Sequence, residues 1–243
     1  DNVFFIANLT NHPLPVLGSD STPQGVIHLE RKRFLWGARL FERLRLVNYS
    51  DQPARVPLTL DFAADFRDMF EVRGQVRAQR GEFGTPEVGT RRAVLRYRGL
   101  DDLLRCACID FSEAPQRLSA QQAAFDVALA ARGSWTLFVE VGTEPASAGP
   151  ERFREAGVLA RWRMRARRRR GARLQASGRL FQGWLDRSRA DLALLTTDMP
   201  TGPYPYAGIP WFSTPFGRDA IVTAFQTLWL DPALALGVLR FLA

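Results

Sequence analysis

The chain has 243 residues, 46% of them hydrophobic, and a formal net charge of +8. This composition is ample for the core of a globular protein, either as one large domain or as two smaller ones. No run of about 18 uncharged apolar residues occurs, and the N-terminus lacks the basic and apolar regions of a signal peptide. We therefore predict a globular, cytoplasmic protein with no membrane partner.

The first half of the chain, from Asn2 to about Val141, shows apolar and polar residues in alternation. Alternation that is interrupted by turn residues is typical of half-buried strands. The clearest examples are Val56 to Phe62, Phe125 to Leu129 and Trp135 to Val141. No amphipathic helix separates the strands, which favours an antiparallel β-sandwich over a parallel sheet.

Two neighbouring segments are predicted to pair as a hairpin. They are Leu40 to Val47 and Arg55 to Phe62, and the residues between them, Asn48 to Pro53, are rich in turn formers. The two cysteines, Cys106 and Cys108, lie two residues apart in a predicted strand. Side chains at this spacing share one face and are poorly placed to bridge each other. We expect buried free thiols, which fit a reducing cytoplasm.

After Glu144 to Pro150, a segment with the composition of a linker, apolar residues recur at the spacing of a helix. A helix capped by Ser177 is predicted to end near Thr196. A second helix is predicted from about Arg218 to Leu230. Asp231-Pro232 supplies an N-cap and a proline at the first position of a third helix. Three helices are too few to bury their own apolar residues, so we expect the helical part to be incomplete.

The positive charge is concentrated in one run, Arg161 to Arg173, which contains eight arginines and no acid. The rest of the chain is therefore neutral. Lys32 is the only lysine, whereas a dedicated nucleic-acid surface usually mixes in lysine and spreads over a face. We predict no nucleic-acid partner and interpret the run as a solvated linker or helix flank. Nucleic-acid binding through this run is the alternative.

The inventory of catalytic groups is short. His12 and His28 both lie in the β half, far from any serine or cysteine in a nucleophile setting, and are expected to be surface or structural residues. The sequence has no cluster with metal-ligand spacing and no glycine-rich phosphate loop. We therefore predict no metal and no cofactor, which leaves carboxylates and aromatic rings to carry the chemistry.

The segment from Tyr204 to Asp219 combines aromatic rings, prolines and an Arg-Asp pair. Such a rigid surface suits stacking on a sugar and hydrogen bonding to it. The guanidinium of Arg218 favours the ionised form of the adjacent Asp219, which suits accepting hydrogen bonds from sugar hydroxyls rather than donating a proton. The structural alternative is that Arg218 and Asp219 only pair at a helix N-terminus, while Trp211 and Phe212 pack in the core.

Several stretches of this sequence recur together in one known family. They are RFLW (33–36), FERL (41–44), DFRDMFEVRG (65–74), LRYRGL (95–100), YPYAGIPWFSTPFGRD (204–219), Asp231-Pro232 and GVLRFLA (237–243). With them, nearly the whole chain resembles the bacterial and archaeal amylo-α-1,6-glucosidase family, which is similar to glycogen debranching enzymes. The β half is similar to the domain that precedes the catalytic domain in this family.

The resemblance implies a multidomain protein, β then α. Residues 1–142 are expected to form the antiparallel β-sandwich, residues 143–175 a linker with the arginine-rich run, and residues 176–243 the first helices of an incomplete (α/α)6 barrel of the six-hairpin glycosidase type. In related barrels a Trp-x-Arg-Asp element binds the non-reducing glucose. We carry over Arg218 and Asp219 as sugar-binding residues and Trp211 and Phe212 as pocket walls, although the spacing of Trp211 departs from the pattern.

The activity implied by the resemblance is inverting hydrolysis of α-1,6 branch points in a glycogen-like or starch-derived α-glucan. The catalytic acid and base are expected beyond Ala243, and family members usually begin before the equivalent of Asp1, so the chain is expected to be cut at both ends. We therefore expect it to hold part of a glucose subsite and to be inactive alone. A noncatalytic glucan-binding or assembly module is the alternative.

Overall fold

The computed structural model of the protein describes residues 2–15, 21–209 and 212–243. Strands account for most of the regular structure up to Gly142. They are β1 (Phe5–Thr10), β2 (Leu14–Pro15), β3 (Ser21–Thr22), β4 (Ile27–Trp36), β5 (Arg39–Asn48), β6 (Ala54–Asp61), β7 (Glu82–Phe83), β8 (Glu87–Val88), β9 (Arg92–Arg98), β10 (Leu104–Phe111), β11 (Arg117–Leu118), β12 (Gln122–Leu129) and β13 (Ser134–Gly142).

Helices dominate the remainder. Helix α1 (Met69–Val72) lies between β6 and β7. After β13 come α2 (Pro150–Arg169), α3 (Arg179–Leu195), the strands β14 (Thr196–Met199) and β15 (Gly202–Pro205), α4 (Gly217–Gln226) and α5 (Pro232–Leu242). None of the helices in the described ranges is both long enough and apolar enough to cross a membrane.

The strands up to β13 form two principal antiparallel sheets. The larger has the order β1-β4-β5-β13-β10-β9-β7, with β8 also paired to β9, and the smaller has the order β11-β12-β6. Both sheets contribute to one apolar core, for example through Leu44 and Leu137 from the larger sheet and Val56 and Phe125 from the smaller. Two sheets that share a core in this way form a sandwich. The prediction of antiparallel β structure followed by helices is confirmed.

The predicted hairpin between β5 and β6 is wrong. β5 pairs with β4 and β13, whereas β6 pairs with β12 in the other sheet. The reason lies in the buried amide of Asn48, which donates hydrogen bonds to the carbonyl oxygens of Gln52 at 2.7 Å and Ala130 at 3.1 Å. The bond to Gln52 closes the turn itself, and the bond to Ala130 ties the turn to the connection between β12 and β13. The chain therefore crosses between the sheets here, and the apolar faces of β5 and β6 meet across the core.

The larger sheet contains a buried ionic network. Asp110 of β10 and Glu140 of β13 lie opposite each other in register, and both are buried. The Arg152 guanidinium contacts Glu140 at 2.9 Å, Arg92 bonds Asp110, and Arg39 lies 3.8 Å from Asp110 and 3.7 Å from Glu140. Buried carboxylates are tolerated when they are paired and hydrogen-bonded in this way. The backbone N–H of residue 146 also donates a hydrogen bond to Asp110 at 3.0 Å.

The two cysteines lie on β10 and are free, as predicted. Cys108 is buried, while Cys106 is only partly so. Burial raises the pKa of the Cys108 thiol, and the nearby Asp110 carboxylate raises it further. A thiol with a raised pKa is a weak nucleophile, so Cys108 behaves as a core residue.

The helix boundaries agree with the capping signals in part. α3 ends at Leu195, as predicted, but its N-cap is Gly178 rather than Ser177, and no side chain caps it. α5 begins at Pro232 after the predicted N-cap Asp231. α4 ends at Gln226, earlier than predicted. The Thr227 N–H still makes a helical bond to residue 223, but the next N–H, of Leu228, bonds only three positions back, to residue 225. Helix α2 occupies much of the segment expected to be a linker.

The contacts within the chain define two compact units. The sandwich unit comprises Phe4–Arg67 and Val76–Val158, and the helical unit comprises Asp1–Val3, Asp68–Gln75 and Leu159–Ala243. The division falls within α2. The short segment around α1 thus groups with the helical unit, although the strands on either side of it belong to the sandwich unit.

We predict that Leu137→Ala lowers the free energy of unfolding by about 2–5 kcal/mol, because it leaves a cavity in the sandwich core. Leu137 is 0% exposed, whereas Leu35, on the same sheet, is 74% exposed. The matched control Leu35→Ala is expected to change the free energy by no more than about 0.5 kcal/mol. Urea unfolding followed by circular dichroism measures both variants, and equal losses would contradict the sandwich core described above.

Candidate functional site

The aromatic segment of residues 204–219 follows a tight hairpin in the helical unit. β14 and β15 pair from Thr196↔Pro205 to Met199↔Gly202, and Gly202 turns with a positive φ of 126°. Beyond the hairpin, an isolated bridge between Ala207 and Thr214 closes the loop at its base. The chain is therefore pinned at both ends of the loop that leads to α4.

Tyr204 anchors this arrangement and is 0% exposed. Its hydroxyl donates a hydrogen bond to the carbonyl oxygen of Phe216 at 3.2 Å, and its ring centroid lies 4.7 Å from that of Phe241 in α5. Burial raises the pKa of Tyr204, and the neighbouring Tyr206 adds to the effect. Because Phe216 is the N-cap of α4, Tyr204 fixes the start of the helix that carries the predicted binding residues.

Arg218 and Asp219 lie in the first turn of α4. The Arg218 Nε and Asp219 Oδ2 atoms are 3.8 Å apart, and the two side chains are 90% and 44% exposed, respectively. An exposed pair at this distance adds little to stability, although a carboxylate in the first turn interacts favourably with the helix dipole. The pair presents several N–H donors and two acceptor oxygens side by side to solvent, a set that matches vicinal hydroxyl groups.

Phe212 is half-buried in contacts with other side chains of the helical unit. Its ring centroid lies 5.8 Å from Phe70 and 6.5 Å from Phe216, both edge to face. The guanidinium carbon of Arg73 lies 3.4 Å from the Phe212 ring centroid, a cation–π contact. These contacts fix the ring but also cover part of it. The fourth predicted residue, Trp211, lies outside the described residues.

Phe70 and Arg73 were not anticipated as neighbours of the aromatic segment. They belong to α1 and its C-cap, which begin with a capping box: Asp68 Oδ1 accepts from the N–H of Phe70 at 2.8 Å and of Glu71 at 2.9 Å, and Glu71 returns a bond to the Asp68 N–H. The Asp-x-x-Glu spacing is a readable signal for the helix. It carries no information about the distant partner, Phe212.

The arginine-rich run also holds the hairpin. Asp198 of β14 accepts hydrogen bonds from Arg163 at 2.9 Å and Arg167 at 2.8 Å, and Arg170 bonds Asp231 at 2.6 Å. Desolvation acts to raise the pKa of Asp198, but the bonds from Arg167 and Arg163 outweigh it, so the pKa is lowered. Part of the run therefore serves as structural counter-charge within the helical unit.

No metal centre accompanies these residues. Over residues 2–15, 21–209 and 212–243, no three His, Cys, Asp or Glu side chains come together in an arrangement that would hold a metal ion.

Comparison with solved structures concerns the fold. A protein described as a kojibiose phosphorylase from the human microbiome superposes with a TM-score of 0.60 and 10% identity, covering 98% of this chain and 34% of that one. At this identity the likeness concerns the fold alone, and this chain spans about a third of that protein's length. A polysaccharide lyase aligns with a TM-score of 0.32 and 14% identity, over 65% of this chain and 27% of that one, which supports no argument.

The class defined by the fold is thus an antiparallel β-sandwich followed by helices. No curated protein gave a match to the chain. The family model for the N-terminal domain of some glycogen debranching enzymes matches residues 1–140. This match covers more than half of the sequence, and the chain belongs to that family.

We predict that Gly237→Ala destabilises the helical unit by about 1–3 kcal/mol, because the added methyl group is overpacked. A Cβ atom at Gly237 would lie 2.2 Å from the carbonyl oxygen of Pro203 in β15, so α5 would have to shift away from the hairpin. Gly183 of α3 is the matched control, since a Cβ atom there meets nothing within 4 Å. Gly183→Ala is expected to be neutral or to stabilise by up to about 1 kcal/mol. Thermal unfolding distinguishes the two, and a neutral Gly237→Ala would contradict the packing of α5 on β15.

Proposed function

We propose that this chain is part of a glycoside hydrolase of the amylo-α-1,6-glucosidase type, which acts on branch points of a glycogen-like or starch-derived α-glucan in the cytoplasm. The observation that carries the proposal is the match of residues 1–140 to the N-terminal domain of some glycogen debranching enzymes. The superposition on a protein described as a kojibiose phosphorylase agrees with a sugar as the ligand. The free cysteines fit a reducing compartment.

The proposal assigns residues 1–142 to the N-terminal sandwich, residues 143–175 to a connecting segment, and residues 176–243 to the first helices of an (α/α)6 barrel. Large apolar side chains on α3, on α4 and just after α4 support the last assignment, because they are exposed to solvent. They include Leu180, Trp184, Phe225 and Trp229. Large apolar side chains are usually covered when they cluster on a folded protein, and further helices of a barrel would bury these.

The proposed glucose subsite centres on Arg218 and Asp219. The guanidinium donates hydrogen bonds to sugar hydroxyls and the carboxylate accepts them, so the pair binds neighbouring hydroxyl groups of one ring. Phe212 supports one wall of the subsite, held by Arg73, and Trp211 is proposed as a second wall. The high exposure of Arg218 in this chain supports a role in binding rather than in packing.

The proposed reaction is hydrolysis with inversion of configuration. One carboxylic acid protonates the bridging oxygen while a second carboxylate activates water on the opposite face, and the two carboxyl groups are about 6.5–9.5 Å apart. We assign Asp219 to binding rather than to the acid role, because its carboxylate lies beside the Arg218 guanidinium in the first turn of α4, where both can contact hydroxyl groups of one sugar ring. On the resemblance to the amylo-α-1,6-glucosidase family, we propose that both catalytic carboxylates lie outside this chain and that the chain binds glucose units without cleaving the bond.

We predict that Arg218→Ala weakens maltooligosaccharide binding about tenfold or more, because a charged hydrogen-bond donor to the sugar is lost. Arg240→Ala is the matched control, since Arg240 is an exposed arginine in the last turn of α5. It is expected to leave affinity unchanged. Isothermal titration calorimetry with maltotriose measures both. Undiminished binding by Arg218→Ala would instead favour a noncatalytic module that binds glucan elsewhere on the chain.

We also predict that the 243-residue chain releases no glucose from a branched dextrin, since it lacks the proposed pair of carboxylates. A coupled glucose assay, with a complete debranching enzyme as positive control, measures this. Release of glucose that rises in proportion to the concentration of the chain would contradict the assignment of the catalytic groups.

A further inference from the structure

A cavity of about 910 Å³ lies in the helical unit where the C-terminal end of α2 and the following segment meet α3. Among the residues that the structure describes, its lining includes five arginines and no aspartate or glutamate; the arginines are Arg165, Arg168, Arg169, Arg173 and Arg189. None of the described residues of the aromatic segment, 204–209 and 212–219, lines it. The cavity is thus separate from the proposed glucose subsite and has a different charge.

The arginine-rich run is divided between two faces of its helix. Arg163, Arg167 and Arg170 follow helical spacing and bond the carboxylates of Asp198 and Asp231. The other face carries three arginines of the cavity at the same spacing, Arg165, Arg168 and Arg169. These three, and Arg173, have no ion-pair partner within the part of the chain that the structure describes. The charge of the cavity is therefore uncompensated by the residues described.

The walls of the cavity are held by hydrogen bonds. The Gln182 side-chain oxygen accepts from the N–H of Ala176 at 2.8 Å, which fixes the segment before α3. At the other end of this segment, the Ala172 N–H donates to the carbonyl oxygen of Leu230 at 2.7 Å. Arg189 donates to the carbonyl oxygen of Arg168 at 2.8 Å and so caps the end of α2. The backbone that carries these arginines, and the Arg189 guanidinium itself, are therefore held in place by bonds within the chain.

We propose that this cavity binds a small molecule that carries a phosphate or diphosphate group. Arginine guanidinium groups match phosphate oxygens with paired N–H donors. The cavity volume lies within the range of small-molecule sites, about 300–1,000 Å³, so a phosphate and the group attached to it both fit. An anion also relieves the mutual repulsion of the converging charges.

Neither the helix dipole nor a nucleic-acid ligand accounts for the whole arginine cluster of the cavity. The dipole favours basic residues in the last turn of α2, which includes Arg168 and Arg169. It does not explain why Arg173 and Arg189 converge on the same space. A nucleic-acid duplex needs a basic face that follows its backbone, whereas the opposite face of this run is occupied by acidic partners from β14 and the start of α5. A concave site favours a compact anion.

The experiment titrates inorganic pyrophosphate and orthophosphate into the 243-residue chain at constant ionic strength. The double variant Arg165→Gln/Arg169→Gln is expected to weaken pyrophosphate binding by about a hundredfold, about tenfold for each charged donor removed. The control Arg154→Gln/Arg240→Gln removes the same charge from exposed positions that do not line the cavity, and it is expected to leave the affinity unchanged. Arg218→Ala is also expected to leave it unchanged.

Thermal unfolding checks that each variant is folded. Should the double variant not fold, Arg173→Gln tests the same site from outside the helices, with an expected loss of about tenfold. Saturable binding of pyrophosphate that weakens only in the cavity variants supports the proposal, and relative affinity for the two anions separates a diphosphate from a single phosphate. Absence of saturable binding at millimolar concentration overturns it, as do equal losses in the control. Tighter binding of a short DNA duplex, with a steep salt dependence, also overturns it in favour of nucleic acid.

Discussion

The cross-strand pair of buried carboxylates, Asp110 and Glu140, constrains the sandwich unit more than any other interaction described above. Two ionised groups that face each other across β10 and β13 repel each other and lose their hydration. They are compatible with burial only because Arg39, Arg92 and Arg152 approach them. The same arginines reach beyond the sheet: Arg39 and Arg92 each donate to a backbone carbonyl between Gly142 and α2, at 2.6 Å. The charges of the sheet thus determine the course of the chain as it leaves the sandwich.

Ion pairs and hydrogen bonds hold the segment after β13, because its sequence offers few apolar side chains to bury. The residues from 143 to 149, TEPASAG, contain no large apolar side chain, so they cannot be fixed by hydrophobic burial. A buried ion pair often contributes little net stability compared with apolar packing, but the loss of one partner is costly. We infer that the network specifies the path of the connection, from β13 through Glu144 and Ala146 to the first turn of α2, while the apolar core around Leu137 supplies most of the stability.

The features that sequence could predict are those set by neighbours along the chain. Alternation gave the strands, and Asp231-Pro232 gave the start of α5, because both are local patterns. The predicted pairing of β5 with β6 is wrong. The chain instead crosses to the other sheet after β5, and the turn there is held by a hydrogen bond from Asn48 to Ala130, 82 positions away. The candidate site likewise combines local features, which the sequence shows, with a long-range contact, which it does not. Arg218 and Asp219 were recognisable as neighbours at a helix start, whereas the contact of Arg73 with Phe212 joins segments that no local pattern connects.

The arginine-rich run shows how structure changes the interpretation of a charge count. As a composition it is one block of eight positive charges, but in the structure Arg163 and Arg167 bond Asp198 from one face of α2, whereas Arg165, Arg168 and Arg169 line the cavity from another. Compensation of charge also distinguishes the two candidate sites of the helical unit. Arg218 has Asp219 beside it, so the pair is close to neutral and suits the uncharged hydroxyl groups of a sugar. Within the described residues the cavity arginines have no such neighbour, so the cavity suits a ligand that brings negative charge.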